Sequence, residues 1–145
     1  MIKDIYLLVG GEATRLRPLS EGIPKALLTI KGKLLIDLIL KNLDKSDLEN
    51  INLICSIKHE KFWLEYKKDS QFNVNLHFEH EKLDTAGFIV QNINNFSDKF
   101  LCINGDLLIE MNFDSFLEVA NKSNNSTICS ISVDDPSRYG VLELD

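Results

Sequence analysis

"LLVGGEATRLRPLSEGIPKALL", residues 7–28, runs from an apolar segment into a loop of glycines, arginines, prolines and a lysine. The apolar segment belongs to residues 4–9, DIYLLV, which predict a short buried strand. In an open parallel sheet, ligands bind beyond the carboxyl ends of the strands, and the loop leaves this strand at that end. We therefore expect residues 10–25 to bind a ligand.

The residue types of this loop suit a phosphorylated ligand. Gly10 and Gly11 carry no Cβ, so their backbone amides can approach a phosphate or a base closely. Arg15 offers a planar fork of donors for phosphate oxygens, and Lys25 offers a movable positive charge. Two prolines stiffen the segment. The loop matches neither the GxGxxG dinucleotide fingerprint nor a Walker A sequence.

Charge is distributed unevenly along the chain. The net charge is −6, yet residues 1–33 hold six of the 16 lysines and arginines and only three of the 22 acidic residues. General nucleic-acid or membrane-surface binding needs a broad basic face, so we predict neither partner. No apolar run approaches the roughly 20 residues of a membrane helix. An acidic body with one basic loop favours a small polyanion.

Strand and helix patterns alternate along the chain. After the first strand, apolar periodicity predicts helices over 34–43, 60–68, 86–96 and 113–122, and strands over 51–57, 74–79, 99–105, 126–133 and 140–145. Thr85 is a candidate N-cap for the third helix. Strands separated by helices imply right-handed crossover units. The prediction is an α/β fold with a doubly wound, mainly parallel Rossmann-like sheet and helices on both faces.

Length and cysteine usage indicate the domain count and the compartment. The 145 residues predict one domain, and the chain ends inside a strand pattern. This ending favours the front part of a longer catalytic domain over a chain that closes with an edge strand. The three cysteines, Cys55, Cys102 and Cys129, are odd in number and far apart, which predicts buried, reduced thiols and a cytoplasmic protein.

Asp106 directly follows the strand pattern of residues 99–105. Its carboxylate should emerge at the carboxyl edge of the sheet, opposite the basic loop. There it would either hold Mg²⁺ together with phosphate oxygens and waters, or cap a turn. Gly105 would let a ligand approach closely, and Asn104 would donate a hydrogen bond to it or stabilise the turn.

Four segments together resemble a known family. GGEATRLRPLSEGIPKAL, residues 10–27, resembles the signature GGxGTRLxPLTxxxPKxL of sugar-phosphate nucleotidyltransferases. EHEKLDTAGFI (79–89) is similar to the family's ExxxLGTAGxI, and CINGDLL (102–108) to its strand ending in NGD or NSD. DPSRYGVLELD (135–145) resembles its DPSxYGVV segment. The resemblance covers the whole chain in order and spacing.

The resemblance implies the nucleotidyltransferase fold and a reaction. A sugar 1-phosphate would attack the α-phosphorus of a nucleoside triphosphate, giving a nucleotide sugar and pyrophosphate, with Mg²⁺ as cofactor. The motifs look most like those of mannose-1-phosphate guanylyltransferases, which implies GTP and mannose 1-phosphate. Glucose-1-phosphate thymidylyltransferases and uridylyltransferases and heptose-phosphate guanylyltransferases share the same motif skeleton. A homo-oligomer is left open.

The resemblance also implies roles for individual residues. Arg15 would hold the triphosphate and its transition state, Lys25 would neutralise the attacking phosphate, and Asp106 would bind Mg²⁺. Glu79 would contact the base or remain a solvated charge, and Tyr139 would border the sugar or belong to the core. The predicted nucleotide-binding residues are Gly10, Gly11, Thr14, Glu79 and Thr85, and the predicted sugar-binding residues are Asn104, Gly105, Tyr139 and Gly140.

Two positions depart from the family pattern. Ala13 replaces the glycine before the TR pair, and Asp84 replaces the glycine of LGTAG. Relatives also place a second metal-binding carboxylate beyond the point where this sequence stops. The departures leave two alternatives to the enzyme: a non-catalytic relative that binds a nucleotide or nucleotide sugar, and a cytidylyl- or cofactor-guanylyltransferase with a non-sugar substrate. The DPSRYG segment argues against the second alternative.

Overall fold

The computed structural model describes residues 1–12, 22–43, 48–81 and 83–143. Its elements are β1 (Asp4–Leu8), β2 (Thr29–Ile30), β3 (Lys33–Leu34), α1 (Leu35–Leu43), β4 (Asn50–Ser56), α2 (Glu60–Asp69), β5 (Val74–Glu79), α3 (Asp84–Gln91), β6 (Phe100–Asn104) and α4 (Phe113–Lys122). In these described ranges, no helix is both long and apolar enough to cross a membrane.

Four strands form one parallel sheet in the order β5-β4-β1-β6. β1 lies between β4 and β6, with Leu7 aligned to Leu53 on one side and to Ile103 on the other. The chain therefore winds outward from β1 in both directions, which is the doubly wound arrangement predicted from the alternation of strands and helices. The predicted α/β fold class is confirmed. β2 and β3 make a separate short hairpin.

Helices lie on both faces of the sheet, three on one face and α3 on the other. One face buries the aliphatic side chains of the strands against α1, α2 and α4, and this is the main core. On the other face, the rings of Tyr6, Phe96 and Phe100 cluster, and Phe88 of α3 packs edge-on against His77. The alternation of side chains along each strand separates these two layers.

A buried asparagine aligns three neighbouring strands. Asn52 of β4 donates a hydrogen bond from Nδ2 to the carbonyl of Ile5 on β1, at 3.2 Å. Its Oδ1 lies 3.0 Å from Nε2 of His77 on β5. Burial lowers the pKa of His77. These contacts hold the register that brings the ends of β1, β4 and β5 level with one another.

The last part of the chain differs from the prediction. The sequence pattern predicts strands over 126–133 and 140–145, but the structure has no strand in residues 126–143, and Ile128 and Ile131 are exposed. A strand needs a neighbour for its backbone hydrogen bonds, and this segment pairs with none of the described strands. A pattern of apolar and β-branched residues indicates only a local preference for the strand conformation, not the presence of a pairing partner.

Two smaller predictions are also wrong. The third helix begins at Asp84, so Thr85 lies in its first turn, and Leu83 occupies the N-cap position without a side-chain cap. Of the three cysteines, only Cys55 is buried, whereas Cys102 and Cys129 are exposed. Cys102 points to the less covered face of the edge strand β6, and Cys129 lies in the segment without strand pairing.

Candidate functional site

A cavity of about 420 Å³ opens at the carboxyl ends of the parallel strands. Part of its lining is apolar, because Leu8 and Val9 at the end of β1 and Ile54 of β4 line it. Its polar lining comes from the loop after β1, the end of β5 and the turn after β6. Seven residues singled out from the sequence line it: Gly10, Gly11, Lys25, Glu79, Asn104, Gly105 and Asp106.

The backbone of the basic loop returns to the sheet at Lys25. Pro24 forms an isolated antiparallel bridge with Glu12, and the Lys25 amide donates to the carbonyl of Gly11 at 3.4 Å. Residues 25–27 then make one turn of 3₁₀ helix in which Ala26 is buried. Buried Ala26 anchors the turn to the core and leaves the Lys25 side chain to project over the cavity.

Asp106 enters the cavity from the opposite wall. The amide of Gly105 donates to the carbonyl of Leu8 at 2.9 Å, which continues the β1–β6 pairing one residue past β6. Asp106 then faces Lys25, and Lys25 Nζ lies 2.7 Å from Asp106 Oδ2. The side chains of Lys25 and Asp106 are 37% and 43% exposed, so the ion pair remains in contact with solvent.

Gly105 has a structural reason to be glycine. A Cβ at this position would lie 2.3 Å from Cγ1 of Val9 and 3.0 Å from the carbonyl oxygen of Leu8. Packing of the protein against itself therefore requires glycine here, and the predicted contact of Gly105 with a sugar stays a prediction. Gly10 is also confined, since a Cβ there would lie 3.1 Å from Oε2 of Glu79, whereas a Cβ on Gly11 would meet no atom within 4 Å.

Glu79 closes the cavity at the end of β5, where it pairs in register with Ser56 of β4. Burial raises the pKa of its carboxyl group. Burial raises the pKa of the neighbouring Cys55 thiol, and the negative charge of Glu79 raises it further, so this thiol stays protonated. Glu79 and Asp106 lie at opposite edges of the sheet, because β5 and β6 are its two edge strands.

Two sequence-predicted site residues that the structure describes do not line this cavity. Tyr139 and Gly140 are exposed and do not line it, and the segment that carries them pairs with none of the described strands. Thr14, Arg15 and Ala13 lie outside the described residues, as do the side chains of Asp84 and Thr85. The proposed roles of all these residues in binding stay predictions.

Sequence reasoning missed the apolar lining and one surface ion pair. The cavity is also lined by Leu8, Val9, Ala26 and Ile54, whose sequence signal is only that they lie in or next to predicted strands or the predicted loop. Lys58, in the turn after β4, pairs with Glu12 at 3.6 Å. Sequence spacing does not predict an ion pair between residues of two different loops.

Comparison with known proteins agrees with this geometry. The family model described as nucleotidyl transferase matches residues 5–145. A candidate mannose-1-phosphate guanyltransferase of Sulfolobus acidocaldarius is 39% identical over 96% of this chain and 40% of its own length. The bifunctional protein GlmU of Methanococcus aeolicus is 32% identical over 98% of this chain and 33% of its own length.

A solved structure shows the same architecture. HddC from Yersinia pseudotuberculosis, complexed with GMP-PN, aligns with a TM-score of 0.72 at 31% identity. The alignment covers 85% of this chain and 56% of HddC. The chain thus spans about a third to two fifths of the length of the two sequence relatives and a little over half of HddC.

Proposed function

Because the chain belongs to the nucleotidyl transferase family, we propose that the protein transfers a nucleoside monophosphate from a nucleoside triphosphate to a sugar 1-phosphate. The match over residues 5–145 confirms the family that the four sequence motifs predicted. The proposed substrates are GTP and mannose 1-phosphate, and the products would be GDP-mannose and pyrophosphate. A cytoplasmic location is part of the same proposal.

One observation carries the proposal: Lys25 and Asp106 meet over a glycine-walled cavity at the carboxyl edge of a parallel sheet. A phosphate oxygen of the sugar 1-phosphate is already ionised near neutral pH, so it needs no general base. It forms a bond to the α-phosphorus while the bond from that phosphorus to the pyrophosphate oxygen breaks. The task left to the protein is to align two polyanions and to neutralise their charge.

The chain's own residues would divide this task. Lys25 projects from a fixed 3₁₀ turn and can place its ammonium group beside the attacking phosphate. The backbone around Gly10 and Gly11 would accept the nucleotide's phosphates or base at close range. Arg15 is proposed, from the signature motif alone, to hold the triphosphate.

The donor chemistry at Asp106 fits Mg²⁺. Its carboxylate is partly exposed and lines the cavity, and Mg²⁺ in proteins typically takes one or two carboxylates together with phosphate oxygens and waters. Among the residues that the structure describes, no cluster of three or more His, Cys, Asp or Glu forms an all-protein cage. When bound, Mg²⁺ would neutralise phosphate charge and polarise phosphorus–oxygen bonds.

Guanine as the base is supported by Glu79 and by two relatives. A carboxylate can accept two hydrogen bonds from the N1–H and N2–H₂ donors of guanine, a pair that uracil, thymine, cytosine and adenine do not present. The Sulfolobus relative bears the name of a guanyltransferase, and HddC was solved with GMP-PN. Mannose rests on the name of the Sulfolobus relative and on the DPSRYG segment.

A panel assay tests the proposed reaction. Full-length protein with Mg²⁺ is given GTP, ATP, UTP, CTP or dTTP together with mannose, glucose or heptose 1-phosphate, and pyrophosphate release is measured. We expect release with GTP and mannose 1-phosphate to exceed every other combination. Binding of GTP or GDP-mannose without pyrophosphate release in any combination would favour the non-catalytic relative, for which the replacements Ala13 and Asp84 speak.

Glu79→Gln should relax the choice of base. The amide would offer guanine one acceptor and one donor in place of two acceptors, so one guanine N–H would lose its partner. We expect kcat/KM for GTP to fall about 10- to 100-fold while values for the other nucleotides change little. Glu12→Gln is the matched control, because Glu12 lies in the loop after β1 but does not line the cavity. An equal loss for all nucleotides would show that Glu79 does not read the base.

A further inference from the structure

The ion pair between Lys25 and Asp106 is set by the backbone on both sides. Pro24 and buried Ala26 hold the turn that carries Lys25, and the Gly105–Leu8 hydrogen bond holds the turn that carries Asp106. The pair links two residues 81 positions apart in the sequence. Only the lysine side chain has the length and rotational freedom to leave without moving either turn.

Lys25 occupies an oxygen that a metal ion would need. The ammonium nitrogen lies 2.7 Å from Oδ2 of Asp106, whereas Mg²⁺ binds carboxylate oxygens at about 2.0–2.1 Å. A divalent ion at that oxygen would face a like charge at close range, which is unfavourable. The described lining of the cavity holds just one other acidic side chain, Glu79, at the far edge of the sheet.

We propose that Lys25 is the resident counter-ion of Asp106 and exchanges with the metal ion when the nucleotide binds. This inference rests on the proposed function, because the phosphates of the bound nucleotide, and then the attacking phosphate of the sugar, supply new anionic partners for Lys25. Asp106 keeps a positive partner in both states, and Lys25 reaches the phosphates only after it leaves Asp106. Metal and nucleotide would therefore bind together, and the metal alone would bind poorly.

The test measures metal affinity without nucleotide. Mn²⁺, which shares the oxygen-ligand preference of Mg²⁺, is titrated into the full-length protein, and free Mn²⁺ is read by electron paramagnetic resonance. Lys25→Met should bind Mn²⁺ about two- to fivefold more tightly than the unchanged protein, the range expected from releasing one exposed ion pair. In a second variant, Asp106→Asn added to Lys25→Met should abolish the gain.

Lys58→Met is the matched control. Lys58 lies in the turn after β4, at the same end of the sheet, and pairs with Glu12 instead of Asp106. The Lys58→Met variant removes the same charge as Lys25→Met, and we expect its Mn²⁺ affinity to differ from that of the unchanged protein by less than about 1.5-fold. Thermal unfolding of each variant would verify that the fold is intact.

Two results would overturn the exchange. The first is an unchanged or weaker Mn²⁺ affinity in Lys25→Met, and the second is an equal gain in Lys58→Met, which would indicate a long-range charge effect. Either result would leave the transfer reaction untouched if the panel assay shows turnover. Conversely, Mn²⁺ titrations that behave as expected in a protein without turnover would retain Lys25 as the counter-ion of Asp106 and reject the proposed reaction.

Discussion

Asp106→Asn is expected to lower nucleotidyl transfer by about 10³-fold, with little effect on folding. Asparagine keeps the shape of the side chain but removes the negative charge that would bind Mg²⁺ and neutralise Lys25. Loss of one well-placed electrostatic group in a catalytic site typically costs about 10²–10³-fold, and here the metal would be lost as well. The measurement is pyrophosphate release with GTP and mannose 1-phosphate, together with a thermal unfolding curve.

The stability of the Asp106→Asn variant distinguishes loss of the metal ligand from a folding defect. The Lys25–Asp106 pair is partly exposed, so its loss should change the free energy of unfolding by about 1 kcal/mol or less. Asp69→Asn is the control, since Asp69 ends α2, is exposed and lies outside the cavity. If Asp106→Asn retained more than about a tenth of the unchanged activity, Asp106 could not be the essential metal ligand.

Gly105→Ala is expected to destabilise the fold by about 2–3 kcal/mol. The new methyl group would lie 2.3 Å from Cγ1 of Val9, which is buried and β-branched and so has little freedom to rotate away. It would also meet the carbonyl oxygen of Leu8 that accepts the Gly105 hydrogen bond. Thermal or urea unfolding should show the loss, as a decrease of about 5–10 °C in Tm.

Gly11→Ala provides the matched comparison. A Cβ on Gly11 meets no atom within 4 Å, and its backbone is not in the left-handed region. We expect its stability to stay within about 0.5 kcal/mol of the unchanged protein, while nucleotide binding weakens if the backbone here approaches the ligand. Equal stability of Gly105→Ala and the unchanged protein would contradict the steric explanation for Gly105.

The local pattern of apolar residues could predict the part of the fold in which strands and helices alternate. The segments around β1, β4, β5 and β6 carry enough apolar residues to be recognised as strands, and crossover helices then require them to run parallel. The segment over 126–133 has an equally good pattern but no neighbouring strand to complete it. Propensity is local, whereas strand formation depends on a partner elsewhere in the fold.

The same distinction applies to the cavity. Parallel strands end at a common edge of the sheet, and four predicted site residues lie at or just after a strand end. Their meeting at one edge could therefore be predicted for Gly10, Glu79, Asn104 and Asp106. That Tyr139 would join them depended on a motif match, and the structure leaves it exposed on a turn. A shared motif shows which residues occur together in a family, but their attachment to the sheet requires packing contacts.

By itself, the sequence determined that this chain forms a parallel α/β sheet with a cationic, glycine-rich loop at its carboxyl edge, because periodicity and residue type are local properties. Tertiary structure alone decided that Lys25 pairs with Asp106, that Gly105 must be glycine because Val9 lies against it, and that residues 126–143 add no strand to the described sheet. Each of these depends on distances between segments far apart in the chain, which only the packed sheet defines.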